Sequence, residues 1–387
     1  MPTEETLTIE KLVYGGDGLA RLDGRVVLLP FVAPQEVVRA EVQRAKNDLF
    51  RGRVREIISA SASRVTPACP YFERCGGCQY QHLEYPQQVA QKISILREVL
   101  RRVGKIEFEG EIAAVTGEPW QYRNRIQLHL DRGAIGYFEH GSRRLCAIDH
   151  CPVASPALNQ AIHELAARVA EIRAYTGSVE LFTDETEVQF NLLDRAPRPI
   201  FSALASLGVS LPIQYGGFQV SRNSFFQVNR FLIDPLAACA VGGLEGDAAL
   251  DLYAGVGLFS RSLVERFKNV TAVESAPSAF RDLVHNMHDR VATEHATVEE
   301  YLARLESTPD FILADPPRAG LGKQVVRDLA RIRSPHLAIV ACDPATLARD
   351  LQGLLADGYQ IAKITLVDLF PQTFHLETVV QLQRPAG

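Results

Sequence analysis

Through residues 231–387, short apolar runs alternate with helix-spaced stretches, and each run ends in a polar, Gly-rich or Pro-rich turn. AALDLY, NVTAVE, DFILAD and LAIVAC have the length and apolar continuity of strands buried on both faces. Few architectures satisfy that rhythm, and it predicts an α/β domain built on a doubly wound, mostly parallel sheet. In such sheets, ligands and reacting side chains gather beyond the carboxyl ends of the strands. The residues at those four ends are therefore the first candidates for chemistry.

The preceding residues have a different character. LTIEKLVY alternates, GGDG turns, LARL leads into the hairpin signal DG, and RVVLLPFV runs apolar. Five or so short strands within residues 7–58 predict a small closed β-barrel of the OB type, a fold often used on RNA. Residues 59–81 are irregular and rich in Ser, Pro, Gly and Cys, and Val89, Ile93, Leu96, Val99 and Leu100 then mark a helix over about 82–104. The chain thus reads as three domains: 1–58, a barrel; 59–230, a mixed α+β region whose helix is apolar enough to pack on the last domain; and 231–387, the α/β sheet. No apolar run approaches the roughly 20 residues a spanning helix needs. The segment MPTEETLTIE is acidic without an apolar core, so a cytoplasmic protein with no membrane partner is expected.

The formal net charge of −5 hides an asymmetry. Residues 1–230 carry 27 Lys and Arg against 26 Asp and Glu, and the remainder 14 against 20. Arg39, Arg44, Lys46, Arg51, Arg53 and Arg55 crowd one stretch against only Glu41 and Asp48. Arg97, Arg101, Arg102 and Lys105 form a second cluster, and Arg123, Arg125, Arg132, Arg143 and Arg144 a third. Such stripes can hold a phosphate backbone even on an acidic protein, and the competing reading is ordinary solvated charge.

Seven cysteines in a cytosolic chain argue against structural disulfides. Cys69, Cys75 and Cys78 stand as C-x5-C-x2-C around a Gly-Gly turn, a spacing that lets three thiolates converge on zinc or an iron–sulfur centre. The fourth ligand is open among Cys146, Cys151, Cys239, Cys342 and a nearby histidine. Cys151 is favoured by the Pro152 that follows it.

LDLYAGVGLF places a strand directly before Gly255 and Gly257, a small turn that brings backbone amides close to a ligand. Glu274 closes the next strand, where an acidic residue meets ribose hydroxyls in such folds. With neither a full G-x-G-x-x-G nor a Walker G-K-[ST], S-adenosylmethionine is preferred over NAD or ATP as the nucleoside cofactor. Asp315 ends the third strand within ADPPR, where the prolines fix its carboxylate. Cys342 ends the fourth, and Glu377 precedes a last strand. A thiol and a carboxylate beside a methyl donor suit methylation of a pyrimidine at C5. A thiolate adding at C6 makes C5 nucleophilic, and a base must then remove the C5 proton.

At this point the chain resembles the RNA 5-methyluridine methyltransferases over nearly its whole length. CPYFERCGGCQYQHLEYPQQVAQK, DHCPVASPALN, SFFQVN, DLYAGVGLFS, ADPPRAGL, ACDPATLARDL and FPQTFHLETVVQL follow in that family's order. The resemblance implies that residues 7–58 are its RNA-binding TRAM domain. It implies that Cys69, Cys75, Cys78 and Cys151 hold a [4Fe–4S] cluster, with zinc as the weaker alternative. Gln227, Tyr253, Glu274 and Asp315 would line the S-adenosylmethionine and base pocket, with Cys342 as nucleophile and Glu377 as proton acceptor. The combination of TRAM and iron–sulfur segments implies the 23S rRNA branch; tRNA, or a catalytically silent RNA-binding or chaperone protein, are the other readings. Three departures stand out. Asp343 replaces the family's usual Asn and brings a like charge beside the thiol, Leu258 replaces a frequent Asn, and residues 285–300 offer no recognisable adenine contact.

Overall fold

A computed structural model of the chain describes residues 3–46, 49–169, 176–194 and 212–385. It begins with β1 (Thr3–Thr8), β2 (Lys11–Leu12), β3 (Gly18–Leu22), β4 (Arg25–Leu29), β5 (Val37–Lys46) and β6 (Leu49–Ser59), joined in the order β1-β5-β6-β4-β3-β2. Along β5, Val38, Ala40 and Val42 alternate inward to meet Leu7, Ile9, Val27 and Leu29, the period-two pattern of a sheet with one buried face. The expected closed barrel needs correcting: among the described residues, no strand pair joins β1 to β2. β2 has only two residues, and the chain itself crosses the gap. Ile9 N–H donates to Glu36 O at 2.9 Å and Glu10 N–H to Leu19 O at 2.8 Å, so the chain passes from the β5 edge to the β3 edge at that bend.

Helix α1 (Tyr85–Gly104) is followed by β7 (Ile112–Val115), β8 (Arg125–Asp131), β9 (Ala134–Phe138) and β10 (Leu145–Ala147). Next come α2 (Pro156–Val169), β11 (Gly177–Thr183), β12 (Val188–Leu192) and the hairpin β13 (Ile213–Tyr215) with β14 (Phe218–Val220). The remainder alternates as the sequence predicts: α3 (Ile233–Val241), β15 (Gly246–Leu252), α4 (Leu258–Leu263), β16 (Phe267–Glu274), α5 (Pro277–Met287), β17 (Ala292–His295), α6 (Val298–Arg304), β18 (Phe311–Ala314), α7 (Gly322–Ile332), β19 (His336–Ala341), α8 (Pro344–Ala356), β20 (Gln360–Val367) and β21 (Glu377–Gln383). No helix among the described residues is long and apolar enough to cross a membrane.

Two compact units result: Met1–Ile95 with Gly136–Pro152 and Phe370–His375, and Leu96–Ile135 with Val153–Leu369 and Leu376–Gly387. The second unit contains an eight-stranded sheet in the order β17-β16-β15-β18-β19-β21-β20-β7. β15 through β19 pair in parallel, and β21 runs antiparallel between β19 and β20. All four residues of β18 are buried, as a strand covered on both faces requires.

Candidate active site

The winding direction reverses between β15 and β18: from β15 the chain passes outward to β16 and β17, and from β18 the other way to β19. Beyond the strand ends at such a reversal lies the crevice that binds ligands in open α/β sheets. After β15, Tyr253, Gly255 and Gly257 all adopt left-handed backbone, with φ of 62°, 58° and 95°. A Cβ on Gly257 would lie 3.0 Å from Leu283 Cδ1 and 3.1 Å from Met287 Cε, so glycine lets the turn close against α5. A Cβ on Gly255 would meet nothing within 4 Å, which leaves its backbone open to close approach.

Glu274, ending β16, is held to that turn. Its Oε2 accepts from Gly255 N–H at 2.8 Å and its Oε1 from Ala276 N–H at 2.6 Å. Beneath it on β15, Asp251 is fully buried and accepts from Ser260 Oγ at 2.5 Å, while its Oδ1 has no hydrogen-bond partner. Burial pushes the Asp251 carboxyl up to about 7, against the Ser260 hydrogen bonds and with the Glu274 charge adding to the push. Asp315, one residue past β18, is tied by its N–H to Leu252 O at 3.2 Å. Desolvation pushes it up to about 7 as well, and the Asp251 charge adds to that.

The antiparallel register pairs Ala341 of β19 with Thr378 of β21, so the next residues, Cys342 and Glu377, come level at the same edge. Burial, Glu377 and Asp315 push the Cys342 thiol up to about 11, opposed by Arg318. Glu377 is itself buried and raised well above the ordinary carboxylate range by desolvation and by Asp315, again opposed by Arg318. One cation thus faces two groups whose proton affinity burial raises. Asp343 does not spend its charge on the thiol: its Oδ1 accepts from Ala345 N–H at 3.0 Å and Thr346 N–H at 2.9 Å, capping α8. Either Asn or Asp serves at such a cap, which accounts for the departure seen in the sequence.

Gln227 is buried in a different segment, its carbonyl accepting from Asn124 Nδ2 at 3.0 Å. Within the stretch 285–300, Asn286 donates to Val256 O at 2.9 Å and to Gln219 O at 3.0 Å, bracing the glycine turn against β14. Asp251, Arg318 and Asn286 are thus site residues that sequence reasoning did not single out. The signal for Asp251 was present: one acid inside the otherwise apolar strand AALDL.

Cys69, Cys75, Cys78, Cys146 and Cys151 lie in the first unit. Burial raises both Cys69 and Cys75, the latter to about 12, and Cys146 and Cys151 add to the push on each. Gly77 N–H donates to Cys75 Sγ at 3.4 Å across the Gly-Gly turn. Among the described residues, no three His, Cys, Asp or Glu side chains stand as a ready metal cage. Cys239 lies in α3 of the second unit.

Much of the basic charge is already paired. On β5 and β6, Arg39 meets Glu56 at 2.6 Å, Arg55 meets Glu41, and Arg51 meets Asp17 at 3.3 Å. The Lys46 side chain and Asp48 lie outside the described residues. Arg97 donates to the carbonyls of Phe108 and Gly110, and Arg102 pairs with Glu98. Arg125 is buried against Phe182 and Glu180, a structural role that removes it from the proposed RNA face.

Residues 212–385 match the family model described as tRNA (Uracil-5-)-methyltransferase, and residues 3–54 match the TRAM domain model. A 23S rRNA (uracil(1939)-C(5))-methyltransferase RlmD of Halomonas elongata is 31% identical, the match covering 98% of this chain and 89% of that protein. An uncharacterized RNA methyltransferase of Aquifex aeolicus is 30% identical over 97% of this chain and 98% of its own length. Among solved structures, the Pyrococcus abyssi tRNA (uracil-54, C5)-methyltransferase in complex with S-adenosyl-L-homocysteine is similar with a TM-score of 0.75 and 26% identity, covering 97% of this chain and 99% of that one.

Proposed function

The chain belongs to the RNA (uracil-5-)-methyltransferases, enzymes dependent on S-adenosylmethionine, and from that premise we propose that it methylates C5 of a specific uridine in 23S rRNA through a covalent Cys342 adduct. The observation that carries the reading is the level placement of Cys342 and Glu377 beside Asp315. The open backbone at Gly255 and the braced Glu274 fit a nucleoside cofactor. Those two, with Tyr253 and Asp315, are the residues that would hold S-adenosylmethionine, which supplies the methyl group.

The thiolate of Cys342 forms a bond to C6, and the C5–C6 π electrons shift to make C5 enolate-like. C5 then takes the methyl group as the S–CH3 bond breaks, with its electron pair left on sulfur and S-adenosylhomocysteine as the leaving group. Glu377 removes the C5 proton, and the C6–S bond breaks to return the thiolate and restore the double bond. The target base must leave its stack to reach these groups. Full-length kinship with proteins named for 23S rRNA favours that substrate, and the tRNA enzyme among the solved structures keeps tRNA as the second reading.

For the first unit, the proposed occupant of Cys69, Cys75, Cys78 and Cys151 is a [4Fe–4S] cluster with a structural role. The thiol donor set suits it, and Cys69 and Cys75 each feel the charge of Cys151. Iron and sulfide analysis with an anaerobic absorption spectrum tests this; zinc without iron would replace it.

The decisive assay is tritium release from 5-³H-uridine-labelled transcripts of 23S rRNA and tRNA, with wild-type and Cys342→Ala protein. Release from rRNA that the substitution abolishes is the expected result. Release from tRNA alone would overturn the substrate, and release by neither protein from either RNA would favour a silent RNA-binding protein.

A further inference from the structure

In the first unit lies a cavity of about 430 Å³, within the size range of small-ligand pockets. Phe374, Tyr137 and Phe138 line it. Phe138 is 39% exposed, so its ring is open to a ligand from solvent. The polar lining includes Gln79 and Glu139, and the Gly76–Gly77 turn adds bare backbone. No Lys or Arg lines the cavity; its titratable lining is Glu139, paired with Arg144 at 3.4 Å, and His140. That chemistry disfavours a phosphate and suits a flat, uncharged ring with hydrogen-bond donors at its edge.

The walls are also held in place. Gln79 Nε2 donates to Gly76 O at 2.8 Å, and Gln79 Oε1 accepts from Phe374 N–H at 3.4 Å. Gly16 packs so closely that a Cβ would sit 2.9 Å from Gln79 Cγ, which brings the adjacent Gly15 to the rim. The Phe370–His375 segment is clamped from α1 and the preceding loop. Gln88 Oε1 accepts from Gln372 N–H at 2.9 Å, the fully buried Lys92 donates to Phe370 O at 2.9 Å, and Gln79 and Tyr80 N–H both donate to Gln372 O. Tyr14 meets the Phe374 ring edge-on at 5.6 Å between centroids.

We propose that this cavity receives a second unstacked base of the substrate RNA, distinct from the uracil that is methylated, and so helps select the RNA. The inference rests on the RNA-methyltransferase reading, because single-stranded RNA presents splayed bases that stack on aromatic rings and hydrogen-bond along their edges. Leu376 alone separates the Phe370–His375 segment from Glu377, so the segment that forms one wall leads directly into the proposed proton acceptor.

The test is an equilibrium-binding scan, with each nucleotide around the target uridine replaced in turn by an abasic residue. Wild-type protein is compared with Phe374→Leu and with Phe138→Ala, the latter at a partly exposed position where folding is safe. Stacking on one aromatic ring predicts a roughly tenfold loss of affinity at one non-target position for wild type. Both variants should bind intact RNA more weakly by a similar factor and lose almost nothing further at that same position. Penalties that multiply at every position, or the absence of any sensitive non-target position, would overturn the pocket. Tritium release measured on the same RNAs separates this result from failure of the methylation reading, since binding is scored whether or not methyl transfer occurs.

Discussion

Glu274 closes β16 with its carboxylate oxygens on two backbone amides, whereas Asp315, just past β18, is governed by burial and the Asp251 charge, and Glu377, at the edge of β21, by burial and the Asp315 charge. The same strand edge therefore handles acids in two ways. On the β15–β16 side, N–H groups hold a carboxylate in place, as positioning a ligand requires. On the β18–β19–β21 side, desolvation raises proton affinity, which suits groups that must give and take protons near neutrality. Arg318 is the cation that opposes the shifts of both Cys342 and Glu377.

Substitutions on the β18–β19–β21 side test this contrast most severely. Cys342→Ala removes the thiol at that edge and should abolish methyl transfer. Glu377→Gln should slow turnover by about 10²–10⁴-fold while an RNA adduct resistant to denaturing electrophoresis accumulates, because proton removal stalls before elimination. In the same variant the loss of a neighbouring negative charge should lower the Cys342 pKa, read from the pH dependence of thiol alkylation. Near-normal turnover by Glu377→Gln would break the assignment of roles.

Arg318→Leu comes next in size. Without the cation, both the thiol and the Glu377 carboxyl titrate higher, so fewer enzyme molecules hold the reactive forms at neutral pH. A displacement of one pKa unit is worth about tenfold, so kcat/KM at pH 7 should fall by about that factor and recover partly at alkaline pH. A pH-independent loss would mean that Arg318 acts by some other contact.

Glu274→Gln should do the reverse of the Glu377 variant. The amide keeps one of the two hydrogen bonds, now neutral, and turns an NH2 toward the other backbone N–H, at a cost of at least about 1 kcal/mol. Affinity for S-adenosylhomocysteine, read by calorimetry, should therefore fall by about fivefold or more with kcat nearly unchanged. A kcat loss as large as that of Glu377→Gln would erase the distinction between the two sides.

The strand ends and the glycine turn were legible because their determinants are local: an apolar run, then Gly255 and Gly257, or Asp315 before two prolines. The level placement of Cys342 and Glu377 was not, since it depends on β21 inserting antiparallel between β19 and β20, a long-range pairing with no local signature. Arg39 and Arg55 read as part of a basic stripe until the cross-strand pairing set Glu56 and Glu41 against them. The bend at Ile9–Glu10 was likewise hidden, because neither residue is a turn former.

Asp251 couples the two sides, and its charge gives the smallest and most specific prediction. It lies between Glu274, whose charge raises it, and Asp315, which it raises in turn. Its folded pKa of about 7 stands above its unfolded value of 3.8, so between those pH values the folded protein binds the extra proton. Stability must therefore fall as pH rises across that window, with the penalty fully present above about 7. Asp251→Asn keeps an acceptor for Ser260 Oγ and removes the titration. Relative to wild type its Tm should rise between pH 5 and pH 8, by about 2–4 °C for each kcal/mol of penalty recovered across that interval. Asp315 keeps its own share of the slope, reduced because the Asp251 charge no longer raises it. If the variant melts below wild type at both pH values, the acid supplies an interaction that Asn cannot replace, and the two sides of the edge are joined by more than charge.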